Sequence, residues 1–215
     1  MPQTFSPQAE LLVKLLCLGT VAAVIALGVV LWARASTVRR LDVPVAQPIP
    51  FSHQHHVGDD GLDCRMCHAT VERAATPGMP SAQVCLGCHA QLFADQRMFE
   101  PLRQAAATGQ PIAWNTVHRL PDYVFFDHSV HVAKQVPCAE CHGRVDQMPL
   151  MAPVAPLTMR WCLSCHESPV SHLHEQADEF AMPPAPVAPA RQAAIAQAVG
   201  LEPHRRLVDC STCHR

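Results

Sequence analysis

Polar and apolar positions divide this chain unevenly. Residues 15–33 form nineteen consecutive positions without a charge, with Lys14 before them and Arg34 after. As a helix, a run of that length reaches across the hydrocarbon core of a bilayer. The pattern predicts an N-terminal membrane anchor, residues 1–35. A cleaved signal peptide is the competing reading, and Ala33-Arg34-Ala35 offers a small-x-small site. The run exceeds the usual apolar stretch of a signal, about 7–15 residues, which favours a retained anchor. Cys17 lies inside it as apolar filler.

Beyond the anchor no regular period lasts long. Residues 36–50, with Pro44, Pro48 and Pro50, read as an extended stalk. Residues 90–108 place Leu92, Phe93, Phe99 and Leu102 among polar neighbours and stop at Gly109, with Pro111 beyond. This spacing predicts the longest helix outside the membrane. Residues 182–189 read as a proline-alanine tether, and 192–199 as one short helix. No segment alternates long enough to predict a strand. The expected fold class is mainly α with much irregular coil.

Composition sharpens the picture. Only 5% of residues are aromatic and 20 are proline, so side chains alone make a poor core. A formal charge of −2 lacks the basic surplus of a nucleic-acid binder. The 14 histidines and 11 cysteines stand out instead.

Ten of the cysteines fall into five C-x-x-C-H motifs: Cys64-Cys67-His68, Cys85-Cys88-His89, Cys138-Cys141-His142, Cys162-Cys165-His166 and Cys210-Cys213-His214. This is the signature of c-type haem attachment. Two thiols add across the vinyl groups on one porphyrin edge, and the next residue turns under the ring to offer imidazole to iron. Zinc ribbons use C-x-x-C pairs two to a metal, and five is odd; they also need no histidine after the second cysteine. A disulfide framework leaves the histidines unexplained too. The expected cofactors are five haem c, and the porphyrins would fill the core. Without them no stable fold is expected.

A purely electron-transferring haem takes a second axial ligand from the protein, His or Met. Phe51-Ser52-His53-Gln54-His55-His56 and Phe126-Asp127-His128-Ser129-Val130-His131 share the pattern F-x-H-x-x-H, each shortly before a signature. They nominate His53, His56, His128 and His131. The fifth ligand is left open among His118, Met148 and His204, in that order. His55, His172 and His174 read as bystanders.

The offsets repeat. His53 to His128 and His56 to His131 are each 75 residues, Cys64 to Cys138 is 74, and Cys85 to Cys162 is 77. Such matching signals duplication. Residues 51–190 therefore hold two di-haem modules, and 191–215 add a segment with the fifth haem. Covalent haem attachment takes place outside the cytoplasm, which puts these modules on the periplasmic face of a single-pass inner-membrane protein. Arg34, Arg39 and Arg40 after the span argue the opposite orientation. The haem argument is preferred, because long domains translocate largely regardless of charge.

The first histidine pair with Cys64-Arg65-Met66-Cys67-His68 resembles small multihaem cytochromes of the c3 and c7 type. The run 117–134, V-H-R-L-P-D-Y-V-F-F-D-H-S-V-H-V-A-K, is similar to the pentahaem subunit of alternative complex III, a bacterial quinol:electron-acceptor oxidoreductase. So are residues 141–151 and 209–215. The resemblance implies integral-membrane quinol-oxidising partners, an iron–sulfur subunit, and a mono-haem cytochrome c or other soluble acceptor. It implies a relay subunit that is not catalytic alone. The alternatives are a quinol dehydrogenase subunit that oxidises quinol itself, and a bound cytochrome serving a photosynthetic reaction centre, for which methionine ligands are scarce.

Overall fold

The computed structural model describes residues 6–37 and 41–214. The chain falls into two units, Met1–Arg40 and Leu41–Arg215.

The first unit is one helix, α1 (Pro7–Thr37), of 31 residues. It starts well before the apolar run. Pro7 suits a first helical position, and Lys14 pairs with Glu10 one turn earlier at 2.6 Å, which lets a polar turn continue into the apolar stretch. The stretch Pro7–Ala33 is long and apolar enough to cross a membrane, and none of it is buried.

The second unit is a series of short helices joined by coil: α2 (Cys64–Cys67), α3 (Ala82–His89), α4 (Glu100–Thr108), α5 (His128–Ala133), α6 (Ala139–His142), α7 (Met159–Glu167), α8 (Pro189–Ala198), α9 (His204–Leu207) and α10 (Cys210–Cys213). Among the described residues there is no strand, only an isolated bridge between Val124 and His214. Four of the helices that carry the motifs, α2, α5, α7 and α10, start at polar caps. Asp63 accepts from the Arg65 N–H at 2.8 Å, Asp127 from Ser129 at 2.9 Å, Thr158 from Trp161 at 3.3 Å and Asp209 from Ser211 at 2.9 Å.

Two expectations need correction. The helix read over 90–108 is only α4. Phe93 sits in left-handed backbone, φ 56°, and Pro101 occupies the first turn, so the helix cannot extend back through them. It does end at Gly109, φ 70°. The longest helix of this unit is α8, which begins three residues earlier than expected because Pro189 fits its first turn. Nor is the stalk free. From Leu41 onward it belongs to the folded unit, while residues 38–40 lie outside the described ones. Asp42 N–H donates to the Pro153 carbonyl at 2.8 Å, and Val45 N–H to Met151 at 2.9 Å. Gln47 exchanges two hydrogen bonds with the Asn115 backbone. A proline-rich segment that makes no ladder of its own must satisfy its N–H groups elsewhere.

Side chains provide little core. Ile49, Ala82, Leu102 and Ala105 form one buried cluster, with Phe99, Ile112 and Trp114 packed around it. Among the described residues, the largest fully buried side chains are Leu102, Leu173 and Pro137. So thin a core leaves most of the apolar burial that a fold of this size needs to something other than side chains.

Candidate haem sites

The two F-x-H-x-x-H segments fold alike. Phe51 stacks on His56 at 4.4 Å between ring centres, and Phe126 on His131 at 4.4 Å. Phe51 meets His53 edge-on at 4.8 Å, and Phe126 meets His128 edge-on at 4.8 Å. Each phenylalanine thus braces both imidazoles of its own pair, which accounts for its place in the pattern. His56 Nδ1–H donates to the Ser52 carbonyl and His131 Nδ1–H to the Asp127 carbonyl, each at 2.8 Å.

The copies differ by one residue. His56 stands eight positions before Cys64, and His131 seven before Cys138. The first copy absorbs the extra residue as a π-helical turn, Gln54–Asp59, where Asp60 N–H reaches back five residues to the His55 carbonyl. A one-residue insertion in a helix characteristically produces such a turn.

Across each candidate iron position two imidazoles must face each other. Their ring centres then lie about 6 Å apart, from roughly 2 Å per metal–nitrogen bond and about 1 Å from each nitrogen to its ring centre. His56 and His89 are 6.1 Å apart, His131 and His166 6.1 Å, and His128 and His142 6.4 Å. All three pairs fit an iron between them. The same order in the first copy pairs His53 with His68, which lies close enough to lower its basicity.

Tautomers fit as well. A carbonyl only accepts, so an imidazole bonded to one through Nδ1 carries its proton there and leaves Nε2 a free lone pair for metal. His68 donates in this way to the Gly78 carbonyl (2.8 Å), His89 to Leu92 (3.1 Å), His128 to Ala75 (2.8 Å), His166 to Leu207 (2.8 Å) and His214 to Tyr123 (3.2 Å). Burial favours the uncharged form, which a metal ligand needs, at four further imidazoles. It pushes His142 down to about 3, helped by His118 and His128, and His53 down to about 4, helped by His68 and His56. It lowers His118 and His131 too. His53 Nδ1 and His118 Nε2 are buried without a hydrogen-bond partner among the described residues. For His118 the buried, unpartnered atom is Nε2, the nitrogen that would bind metal.

The fifth ligand remains unassigned. His118 stands edge-on to His142 at 4.5 Å, beside an imidazole that already faces His128. Met148 offers its carbonyl to the Gln54 N–H at 3.0 Å, beside the first histidine pair. His204 is exposed on α9. His214 has the ring of Tyr123 at 5.9 Å. Of the bystanders, His55 lies beside Asp59 and Asp60, His172 meets Glu140 at 2.9 Å, and His174 donates to the Ala185 carbonyl.

The ten motif cysteines follow one another through the unit. Cys85 lies within electrostatic reach of Cys67, and the Cys64 and Cys138 thiols lie beside each other. Cys141 is likewise near Cys165 and Cys162, and Cys162 near Cys213. Burial pushes Cys141 up to about 12 and Cys165 up to about 11. Among the described residues no three His, Cys, Asp or Glu side chains converge as a cation site.

Sequence reasoning missed the capping aspartates Asp63, Asp127 and Asp209, although an Asp directly before Cys64, His128 and Cys210 was a readable signal. It also missed the accepting carbonyls of Ala75, Gly78 and Leu207, for which a backbone atom leaves no mark in the sequence.

Residues 130–215 match the family described as Cytochrome c3. A second comparison pairs the chain with the multihaem cytochrome c subunit of menaquinone reductase from Nitratidesulfovibrio vulgaris, 34% identical over 97 residues. That match covers 45% of each chain, less than half the length of the relative. Residues 130–215 are thus similar to the Cytochrome c3 family, and the long apolar helix and the helix-and-coil unit, with no strand among the described residues, fit a mainly α fold class.

Proposed function

We propose that this chain is a membrane-anchored electron relay with five c-type haems, a subunit of a quinone-linked membrane complex. One observation carries the reading: five thiol-pair and imidazole stations follow one another without a break. In the order of the neighbouring thiols, the station of Cys85 adjoins that of Cys64, then come those of Cys138, Cys162 and Cys210. When bound, haem c supplies a one-electron couple at each station.

The chain's own part is to hold imidazoles on both sides of iron. His68, His89, His142, His166 and His214 serve on one side, and His53, His56, His128 and His131 on the other. The Nδ1 bonds orient the rings and strengthen the Nε2 donors. Paired imidazoles leave no position for a substrate, which supports a relay over a catalytic haem. The fifth opposing ligand comes from His118, Met148 or His204.

The relative named as a menaquinone reductase subunit supports the link to quinone. The finer assignment, to the pentahaem subunit of alternative complex III, rests on the resemblance of residues 117–134, 141–151 and 209–215. In that reading electrons leave quinol through integral-membrane and iron–sulfur subunits and pass to a soluble cytochrome. In a quinone reductase they run the other way, and a relay serves either direction. The haem unit is assigned to the periplasmic side, tethered by α1.

Purification from native membranes tests the proposal. The subunit should carry five haems by mass, all low-spin when oxidised, and should co-purify with integral-membrane partners. The complex, and not the isolated subunit, should exchange electrons with quinone. Quinol oxidation by the isolated subunit would favour the quinol dehydrogenase reading, and a high-spin haem that binds carbon monoxide rapidly would refute the relay.

A further inference from the structure

The loop between the first two signatures contains no candidate ligand, yet imidazoles from two stations end on it. His68 Nδ1–H donates to the Gly78 carbonyl at 2.8 Å. His128, from the other repeat, donates twice to the Ala75 carbonyl, through Nδ1–H at 2.8 Å and through its backbone N–H at 3.2 Å. These stations are neighbours, since Cys64 lies beside Cys138.

Thr70 is the hub of this loop. Its N–H donates to the Pro77 carbonyl at 3.2 Å and its hydroxyl to the Thr76 carbonyl at 2.9 Å. Its own carbonyl accepts from Arg73 and Ala74, both at 2.9 Å. The carbonyls it grips, at 76 and 77, lie between the two that receive the histidines, at 75 and 78. Gly78 closes the loop in left-handed backbone, φ 77°, with Thr70 Oγ1 packed where a Cβ would stand. Next to the hub, buried Val71 anchors the loop. The two accepting carbonyls therefore shift together.

An Nδ1–H···O=C bond makes Nε2 a stronger donor, and a stronger donor favours oxidised iron. Weakening both bonds raises both potentials. We propose that Thr70 is a positioning residue that sets the ligand strength of His68 and His128 jointly, so that two adjacent stations of the relay keep matched potentials. The inference rests on the reading that these imidazoles bind haem iron.

The test uses the full-length protein, matured with haem and solubilised from membranes, as wild type, Thr70→Val and Thr70→Ser. Haem content is read by mass on intact protein and on haem peptides, and midpoint potentials by spectroscopic redox titration. A third variant, His128→Met, marks the station of His142 by the rise that a methionine ligand brings. Thr70→Val should keep five haems and raise two potentials together, including the marked one, each by up to about 59 mV, a tenfold change in a one-electron equilibrium. Thr70→Ser, which retains the hydroxyl, should match wild type. Joint loss of haem from the Cys64 and Cys138 peptides alone would also support the proposal. A shift at one station, at none or at a different pair overturns it, as does loss of a single haem, of any other set or of all five. Wild-type protein short of five haems, or high-spin at these two stations, overturns the ligand reading itself and this inference with it.

Discussion

At the scale of residues, backbone detail decides which imidazole can do what. Gly143 directly follows His142 and adopts φ 66°, ψ −155°, a region that side chains avoid, and an added Cβ would stand 2.9 Å from Val154 Cγ2. Gly143→Ala should destabilise the haem-loaded protein by about 1–3 kcal/mol, seen as a lower melting temperature. Gly58 makes a similar close approach, in which a Cβ would overlap the Asp146 carbonyl oxygen. The π-helical turn of the first histidine pair packs there on the 3-10 turn Val145–Gln147. His56 is a sharper probe of chemistry. His56→Met should raise one potential out of five, that of the station of His89, because a thioether favours reduced iron. A redox titration with unchanged haem content checks it.

At the scale of elements, two devices bind the C-terminal segment to the rest of the folded unit. The Lys134 ammonium donates to the Val199 carbonyl at 2.6 Å and the Gly200 carbonyl at 3.0 Å, just past the end of α8. A cation there satisfies carbonyls that the helix leaves unpaired. Lys134→Met should cost about 1–2 kcal/mol and speed proteolysis of the segment after Gly200 in the holo-protein. The second device is the turn at 121–124, with the isolated bridge of Val124 to His214. Phe125 N–H donates to the Cys213 carbonyl at 2.8 Å, and the Tyr123 carbonyl receives His214. The helix α1 belongs to a unit of its own and is separable in principle. A chain that starts after Thr37, exported behind a cleavable signal, should appear in the soluble periplasmic fraction with its haems. Retention in membranes would show that α1 is not what holds it there.

At the scale of the whole molecule, stability follows the cofactors and one buried carboxyl. Side-chain burial is too thin to hold the coil segments, so protein made without haem maturation should lack cooperative melting. Glu179 is 5% exposed, and burial raises its pKa to about 7, with Glu72 raising it further and Arg65 opposing. The folded state thus prefers the protonated form. Its contribution is fully present below the unfolded value, near 4.5, and is lost as pH rises toward 7 and beyond. Glu179→Gln should therefore melt higher than wild type at pH 8, with the gap closing near pH 4.5.

What the sequence determined by itself is covalent chemistry and periodic pattern. Five C-x-x-C-H motifs, two F-x-H-x-x-H segments and their near-constant offset are local spacings, and so is a long uncharged run. Each follows from bond reach or helix pitch and needs no partner from afar. Even the one-residue mismatch between the repeats was countable before it appeared as a π-helical turn. Only the tertiary structure decided which histidine faces which. His128 meets His142, His131 meets His166 and His56 meets His89 because coil segments, braced by Phe51 and Phe126, bring distant turns within about 6 Å of each other. It also decided that the proline-rich stretch lies along the folded unit, that Phe93 ends any helix before α4, and that His118 stands against His142. These outcomes depend on backbone carbonyls and on φ angles set by packing, and neither has a one-letter code.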